Sequence, residues 1–313
     1  MLELEKNNYF TLQNVAAGIW AAIAEPGSGA AANSVILDLG DTTVIVDTFS
    51  LPQAADHLRE AAERLTNRPA AFIVNTHFHG DHHYGNQSFP GSRIIASIRT
   101  KELLDQNPRG ETADWQDGLR RQIDGLSEVR DAAFDPRVRL ALDHEIGDKT
   151  NLFEAAPSIQ RVGASLTLKD ELWIHGSERS IRLFTYGGGH TESDLLVYVP
   201  DAKVLISGDL ILGRSHPAML HGEPKEWVSI IQRIDNELDI HKVIPGHGEV
   251  ADRSCLRDMT SYLTDIQAYA EQAAKSSIDV EFWLAKGVPA PYDEWRLSHV
   301  FEWNFRWLFA KSQ

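Results

Sequence analysis

Residues 77–85 read HFHGDHHYG, and four of the first six positions carry side chains that bind metal ions: His77, His79, Asp81 and His82. The run follows the apolar, β-branched stretch AAFIVNT, which is typical of a buried strand. Because the ligand spacing does not follow one face of a helix, a tight loop must bring these side chains together. The sequence therefore predicts a metal site on the loop that leaves a buried strand.

Three later segments each place a ligand-type side chain beside an apolar run, with a glycine next to it or one residue away. They read GGGHTESDLLVYVP (187–200), LISGDLILG (205–213) and VIPGHGE (243–249). Their ligand-type residues are His190, Asp209 and His247. Each segment alone is a weak signal, since a glycine beside a histidine or aspartate usually marks a turn. Together with the first cluster they predict one metal centre.

The order of these motifs resembles that of the metallo-β-lactamase superfamily, and the resemblance covers most of the chain. Its signature corresponds to His77-x-His79-x-Asp81-His82. The resemblance implies two metal ions held by seven side chains. The first metal would bind His77, His79 and His190, the second would bind Asp81, His82 and His247, and Asp209 would bridge the two.

Imidazole and carboxylate ligands together suit zinc best, and iron or manganese also fit such a set. The resemblance implies a metal-dependent hydrolase in which a hydroxide shared by two metals attacks a small substrate. The substrate could be a lactone, a thioester, a phosphate or sulfate ester, or a β-lactam-like amide. Asp81 and Asp209 are the predicted catalytic residues. Asp81 could also orient the hydroxide or pass on its proton.

One departure narrows the resemblance. In the antibiotic-hydrolysing members with a cysteine ligand, that cysteine stands where this chain has Asp209. The only cysteine here is Cys255, outside every motif and expected to be a small, partly buried residue. The chain therefore resembles the aspartate-bridged members, such as glyoxalase II and lactonases. Two other functions stay open: an iron-dependent redox or dioxygenase-type protein acting on sulfur compounds or oxygen, and a non-catalytic binding protein.

Two further residues are candidates for roles beside the metals. Asp47 ends the strand-like run VIVDT and could orient a histidine ligand. His216 follows Asp209 by a few residues and could line the cleft as a substrate-binding or proton-transfer group. The remaining histidines are expected to be structural or incidental: His57, His83, His144, His175, His221, His241 and His299.

These residues must be positioned by the predicted strands and helices, and each half of the chain runs from strands to helices. The main predicted strands are 15–24, 34–40, 42–48, 93–96, 165–174, 181–186, 194–199 and 203–207, and the predicted helices are about 53–66, 98–105, 114–132, 137–144 and 224–238. Residues 107–160 interrupt the strand pattern and are predicted to form a helical insertion that roofs the cleft. The segment 252–313 is predicted to be mostly helical.

This pattern, with the resemblance, predicts an α/β fold (α+β in some schemes): a four-layer αββα sandwich with the metals at one edge. We expect residues 1–313 to form a single domain. The aromatic residues Phe301, Phe305 and Phe309 are four apart and predict a packed helical stripe. Trp227 is likewise expected in the core.

Composition limits the choice of partners. The chain has 45 acidic and 30 basic residues, a net charge of −15, and no basic stripe, which disfavours nucleic acid. No apolar run is long enough to span a bilayer, and MLELEKNNYF does not read as a signal peptide. We therefore expect a cytoplasmic protein with a small-molecule substrate and no membrane partner. A homo-oligomer is possible.

Overall fold

The computed structural model describes residues 5–106, 113–276 and 278–313. Eight strands form the first sheet, in chain order: β1 (Glu5–Lys6), β2 (Phe10–Ala16), β3 (Ile19–Ala24), β4 (Ser34–Asp38), β5 (Thr43–Val46), β6 (Phe72–Val74), β7 (Arg93–Ser97) and β8 (Leu166–Leu168). The strands from β1 to β5 are antiparallel, whereas β5, β6, β7 and β8 run parallel.

Six strands form the second sheet: β9 (Glu171–His175), β10 (Ser180–Phe184), β11 (Leu196–Val199), β12 (Val204–Gly208), β13 (Lys242–Pro245) and β14 (Ala251–Asp252). Only β12 and β13 are parallel to each other. Each sheet therefore contains adjacent parallel strands whose carboxyl ends lie at one edge.

The described helices are α1 (Pro52–Thr66), α2 (Ile98–Gln106), α3 (Ala113–Ala132), α4 (Pro136–Ala155), α5 (Pro224–Glu237), α6 (Ser254–Lys275), α7 (Val280–Leu284) and α8 (His299–Lys311). Helix α1 shows how the sequence selects its packing face. Its buried residues include Ala54, Leu58, Ala61 and Ala62, at helical spacing. The helix ends at Asn67, whose left-handed φ of 56° terminates it.

Alternation along the central strands produces the layers. Val35 and Leu37 of β4 point into the core between the two sheets, whereas Ile36 packs on the opposite side with α1. In β12, Val204 and Leu205 divide in the same way between the inter-sheet core and the layer of α5 and α6. Both faces of each sheet are therefore covered, and the predicted four-layer αββα fold is confirmed.

Three predicted elements are wrong in extent. The predicted strand 15–24 covers the end of β2, the turn at Ala17 and Gly18, and β3, which pairs antiparallel with β2. The predicted strand 165–174 is two strands in different sheets: β8 pairs with β7, and β9 pairs with β10. Lys169 and Asp170 make the turn between them, and Thr185 N donates a hydrogen bond to Asp170 O. The second insertion helix, predicted at 137–144, continues to Ala155 as α4. Within 165–174, the chain crosses between the sheets at the charged residues Lys169 and Asp170.

The predicted helical insertion is an antiparallel hairpin of α3 and α4; residues 107–112, at its predicted start, lie outside the described residues. Asp135 caps α4 by accepting a hydrogen bond from Arg137 N (2.8 Å). At the other end of α4, Asp148 accepts from Gly29 N (2.7 Å) and Asn151 Nδ2 donates to Gly27 O (3.1 Å). The insertion is thus attached to the loop between β3 and β4.

The helical C-terminus is also confirmed, as α6, α7 and α8. Phe301 and Phe305 are buried and stack at 5.6 Å between ring centroids, so the predicted aromatic stripe is core packing. Trp227 is fully buried and donates from Nε1 to Leu210 O (2.8 Å). Among the described residues, no helix is both long and apolar enough to cross a membrane.

Candidate metal centre

Four of the predicted site residues follow the carboxyl ends of parallel strands. Asp47 comes directly after β5, and His77 follows β6 by three residues. In the other sheet, Asp209 comes directly after β12 and His247 follows β13 by two residues. Because parallel strands end at the same edge of a sheet, this topology brings all four residues to one end of the sandwich.

A short 3₁₀ turn over Gly80–His82 folds the first motif back on itself. His82 N donates to His79 O (3.1 Å), and His82 O accepts from Thr48 N (3.0 Å) and Asn75 Nδ2 (3.2 Å). A Cβ on Gly80 would overlap the ring of Tyr84. The turn is therefore fixed by hydrogen bonds from Thr48 and Asn75, which lie just after β5 and β6, and by the absence of a side chain at Gly80.

One group of ligand atoms comprises His77, His79, His190 and Asp209, all within 4.8 Å of one another. His79 Nδ1 lies 3.1 Å from His190 Nε2. Asp209 Oδ2 lies 3.4 Å from His190 Nε2 and 4.0 Å from His77 Nε2. Three rings from two sheets thus point at one carboxylate oxygen.

A second group comprises Asp81, His82 and His247, again within 4.8 Å of one another. Asp81 Oδ2 lies 3.5 Å from His82 Nε2 and 3.3 Å from His247 Nε2. Asp209 is also close to this group: its Oδ1 lies 3.5 Å from His82 Nε2, and its Oδ2 lies 3.3 Å from His247 Nε2. Asp209 therefore stands between the two groups.

Several buried polar atoms at this point have no hydrogen-bond partner among the described residues. They are His77 Nε2, His82 Nε2 and Asp209 Oδ1. Buried polar atoms are nearly always hydrogen-bonded, so three such atoms together indicate a site that binds a positively charged ligand. The residues therefore fit divalent cations. Cys255 is buried in α6 and belongs to neither group, so the donors here are imidazoles and carboxylates.

The electrostatics follow from burial and from the two carboxylates. Burial and the neighbouring histidines hold the pKa of His77 well below its usual value, and that of His79 at about 3. Burial would also lower the pKa of His82 and of His247, but Asp81 and Asp209 outweigh it and raise the pKa of His247 to about 10. Without metal, protons on these two rings balance the carboxylates, and a cation would replace them.

Asp47 holds His82 from the side opposite the ligand groups. Its Oδ2 lies 2.8 Å from His82 Nδ1 and accepts a hydrogen bond from Thr76 Oγ1 (2.8 Å), while its Oδ1 accepts from Thr76 N (2.8 Å). The side chain of Asp47 is buried. This contact leaves His82 Nε2 directed toward Asp81 and Asp209, which is the geometry of a carboxylate that orients a ligand histidine.

The loop that carries His190 is organised by Asp194, which the sequence reasoning did not single out. The carboxylate accepts hydrogen bonds from Gly189 N (2.9 Å), Thr191 N (3.0 Å) and Thr191 Oγ1 (2.7 Å). Burial raises the pKa of Asp194. Thr191 Oγ1 also accepts from Ser193 N (3.1 Å), as expected for residues that bond the loop backbone. The sequence feature that could have identified Asp194 is its Asx-type spacing from Thr191.

His216 lies in the wall of the cavity above the ligand groups but is fully buried. Its Nδ1 lies 2.8 Å from Tyr262 Oη, and its Nε2 lies 3.0 Å from Tyr292 O. Burial lowers its pKa to about 4. Both ring nitrogens are thus engaged with the C-terminal segment, so the geometry connects the loop after Asp209 to that segment.

Two histidines expected to be incidental lie at the site. His221 Nδ1 is 2.9 Å from Nε2 of His79, the ring nitrogen that faces away from the ligand group. His299 lines the cavity with a side chain that is 7% exposed, and its Nε2 lies 3.9 Å from Glu145 Oε2. Neither lies near a ligand motif in the sequence, so spacing could not have found them. His83 is buried against Phe78 O (3.2 Å), as expected for a structural residue.

Comparison with known proteins agrees with this fold. A sequence model of the metallo-beta-lactamase superfamily matches residues 27–270. The chain is 21% identical to a metallo-beta-lactamase type 2 of Bacillus cereus, covering 74% of this chain and 72% of that protein. It is 25% identical to the acyl-coenzyme A thioesterase MBLAC2 of Homo sapiens, covering 70% and 74%. It is 22% identical to a linear primary-alkylsulfatase of Pseudomonas sp., covering 81% of this chain but 47% of that protein.

Solved structures show the same architecture. A metallo-beta-lactamase from Pontibacter korlensis superposes with a TM-score of 0.60 at 17% identity, covering 84% of this chain and all of that one. One from Erythrobacter litoralis gives 0.59 at 15% identity, with the same coverage. The chain belongs to the metallo-β-lactamase superfamily. The predicted enzyme class, a metal-dependent hydrolase of this fold, is confirmed at the level of the family.

Proposed function

We propose that this protein is a dinuclear hydrolase, with zinc as the native metal, that cleaves a small ester-type substrate. One observation carries the proposal: Asp209 lies within 3.5 Å of imidazole nitrogens in both ligand groups, at His190 and at His82. A carboxylate placed between two groups of imidazoles suits a bridge between two cations. Relatives that include a thioesterase and an alkylsulfatase support ester cleavage.

In this proposal the seven side chains would divide between two cations. His77, His79 and His190 would hold the first cation, Asp81, His82 and His247 would hold the second, and Asp209 would bind both. When bound, the cations lower the pKa of water toward neutrality and stabilise negative charge that develops on the substrate. Iron or manganese would find the same ligands, so the metal must be identified by measurement.

The remaining residues act on the ligands or on the substrate. Asp47 accepts the Nδ1 proton of His82, which fixes the tautomer that leaves Nε2 free for the metal. His221 contacts His79 in a corresponding position. The side chain of Asp81 is more exposed than that of Asp209, at 29% against 7%, so it is the carboxylate placed to accept a proton from attacking water. We propose that His216 is a positioning residue, since both its nitrogens are occupied.

The substrate would enter a cavity of about 340 Å³ above the ligand groups. Tyr84, Trp115 and Trp303 line it together with Lys149, which pairs with Glu145 at 3.1 Å. A cavity of this size is at the lower end of those that bind small molecules. The reacting part of the substrate is therefore expected to be compact.

The test is metal-dependent turnover. Protein stripped with a chelator would be reloaded with zinc, iron or manganese and assayed on a lactone, a thioester, a phosphodiester, a sulfate ester, an aryl acetate and a β-lactam. We expect hydrolysis of at least one ester class that rises with metal content up to two ions per chain. A protein that never holds more than trace metal, or that turns over none of these substrates when loaded, would contradict the proposal.

A further inference from the structure

A second and larger cavity, of about 860 Å³, adjoins the cavity above the ligand groups. Six residues line both: Ala31, Glu145, Asp148, His247, Leu297 and His299. One of them, His247, is a proposed metal ligand. The two cavities therefore share a wall beside the proposed reaction centre, so an extended substrate held at the ligand groups would reach the larger cavity at these residues.

Much of the wall of the larger cavity comes from the insertion and the C-terminal segment, and the rest comes from loops of the sandwich. Helix α4 of the insertion contributes Val138 and Leu142, and the C-terminal segment contributes Leu284, Trp295 and Phe301. These side chains are aliphatic or aromatic. A concave space of this volume with such a lining is typical of a site for an apolar ligand group.

The mouth of the cavity also exposes apolar surface. Val129 of α3 and Leu140 of α4 both line the cavity and are 53% and 56% exposed. Large apolar side chains that remain exposed beside a cavity indicate a surface that a ligand or partner covers. The shared wall with the cavity at the proposed reaction centre favours a ligand over a protein partner.

Charge excludes one kind of ligand group. The lining includes seven carboxylates but only two arginines, Arg137 and Arg296, and Arg137 pairs with Asp135 at 2.8 Å. An anionic group placed here would be repelled by the acidic residues. An uncharged chain meets no such cost.

The junction between the two cavities holds a polar atom with no partner. The side chain of His299 is 7% exposed, and its Nδ1 is buried without a hydrogen bond among the described residues. The Nδ1 atom is itself inaccessible, so His299 contributes to the wall where the two cavities meet and offers no hydrogen bond to a ligand there through this atom.

We propose that the larger cavity binds an uncharged acyl or alkyl chain of the substrate whose ester group is cleaved at the metal centre. This inference rests on the proposed function and specifies its substrate class: esters with a medium or long aliphatic chain. The insertion and the C-terminal segment are then the parts of the chain that select the substrate.

The experiment compares zinc-loaded wild type with two tryptophan variants on p-nitrophenyl acetate, hexanoate and decanoate. Ala141→Trp places an indole in the cavity wall, whereas Ala132→Trp places one on an exposed position of α3 that lines neither cavity. In wild type, kcat/KM for decanoate should exceed that for acetate by at least about tenfold. Ala141→Trp should remove most of this preference, and Ala132→Trp should retain it.

A second variant keeps the inference testable if Ala141→Trp does not fold. Leu140→Glu changes an exposed residue at the mouth and should also reduce the decanoate-to-acetate ratio. No chain-length preference in wild type, or a preference that both Ala141→Trp and Leu140→Glu leave unchanged, would overturn the inference.

Calorimetric binding of 1-decanol tests the cavity inference independently of the proposed hydrolase activity. If no ester is hydrolysed, the hydrolase proposal fails, and the cavity is judged by binding alone. Wild type and Ala132→Trp should then bind decanol at least about tenfold more tightly than Ala141→Trp. Absence of decanol binding to wild type would overturn the cavity inference as well.

Discussion

Asp209 lies between the two ligand groups, and this position can be tested by counting metals. If its carboxylate bridges two cations, Asp209→Ala should lower occupancy at both positions and nearly abolish turnover. His82→Ala should mainly lose one metal, since His77, His79 and His190 keep their geometry. Metal per chain, measured on both variants by elemental analysis, checks this. An Asp209→Ala protein with two metals and near-normal activity would show that Asp209 is only a turn residue.

A second prediction at the scale of single residues concerns the Asp148 carboxylate and how folding stability depends on pH. Burial raises its pKa from 3.8 to about 6, although Gly29 N donates a hydrogen bond to it. Because the folded pKa is the higher one, the stability this group contributes is complete below pH 3.8 and is lost as the pH rises through 6. Asp148→Asn removes the charge and keeps an acceptor.

The metal-free Asp148→Asn variant should therefore gain stability over metal-free wild type as the pH increases. The gain is at most about 3 kcal/mol, at about 1.4 kcal/mol per pKa unit. Urea unfolding at about pH 4.5 and pH 7.5 measures it. An equal difference between the two proteins at both pH values would argue against a raised pKa at Asp148.

At the scale of elements, the site depends on how closely the carboxyl ends of β12 and β13 approach each other. Gly246, just after β13, donates from N to Gly208 O (2.8 Å), and its O accepts from Asn33 N (2.6 Å). A Cβ at Gly246 would overlap Asp209 Oδ1 and lie 2.9 Å from the carbonyl carbon of Gly208. Only glycine fits where the two strand ends meet.

Gly246→Ala should thus displace Asp209 and reduce metal affinity at least about tenfold. Competition with a chromophoric chelator measures the affinity. Gly125→Ala is the matched control, because a Cβ there meets nothing within 4 Å and alanine favours helix α3 by about 1 kcal/mol. Unchanged affinity in Gly246→Ala would mean that the strand ends can separate without cost.

How far the elements could be predicted depended on local signals. The hairpin of β4 and β5 was predictable, because Gly40 and Asp41 lie between two apolar, β-branched runs; in the structure Gly40 has a φ of 99°. The assignment of β8 and β9 to different sheets was not predictable: Lys169 and Asp170 interrupt the apolar pattern, but which sheet each strand joins is a long-range property. The ligand motifs were visible because each follows a strand. His221 and His299 were not, because only the tertiary fold brings them to the site.

At the scale of the molecule, we propose that residues 1–313 form one domain. The inter-sheet core contains side chains from both halves, such as Val74 and Ile95 with Val197 and Ile206. Asn33 in the first half also donates from Nδ2 to Pro245 O (3.0 Å) and Gly248 O (2.8 Å) around His247. Neither half can bury its sheet face alone, so the halves are expected to unfold together.

The candidate metal centre contains side chains from the same two halves. Loops of the first sheet carry His77, His79, Asp81 and His82, and loops of the second sheet carry His190, Asp209 and His247. Metal binding should therefore stabilise the whole fold and not a single loop. At a free zinc concentration 100 times the dissociation constant, the gain is about 2.7 kcal/mol.

Calorimetric unfolding of stripped and zinc-loaded protein checks this expectation. The loaded protein should unfold in one transition at a higher Tm, and Tm should continue to rise with zinc concentration. Asp209→Ala is the control and should show a much smaller shift, because it lacks the ligand between the two groups. A ligand that binds only the folded state must raise its stability. If zinc binds tightly to wild type yet leaves Tm unchanged, the unfolded chain must bind zinc equally well, and the centre does not depend on joining the two halves.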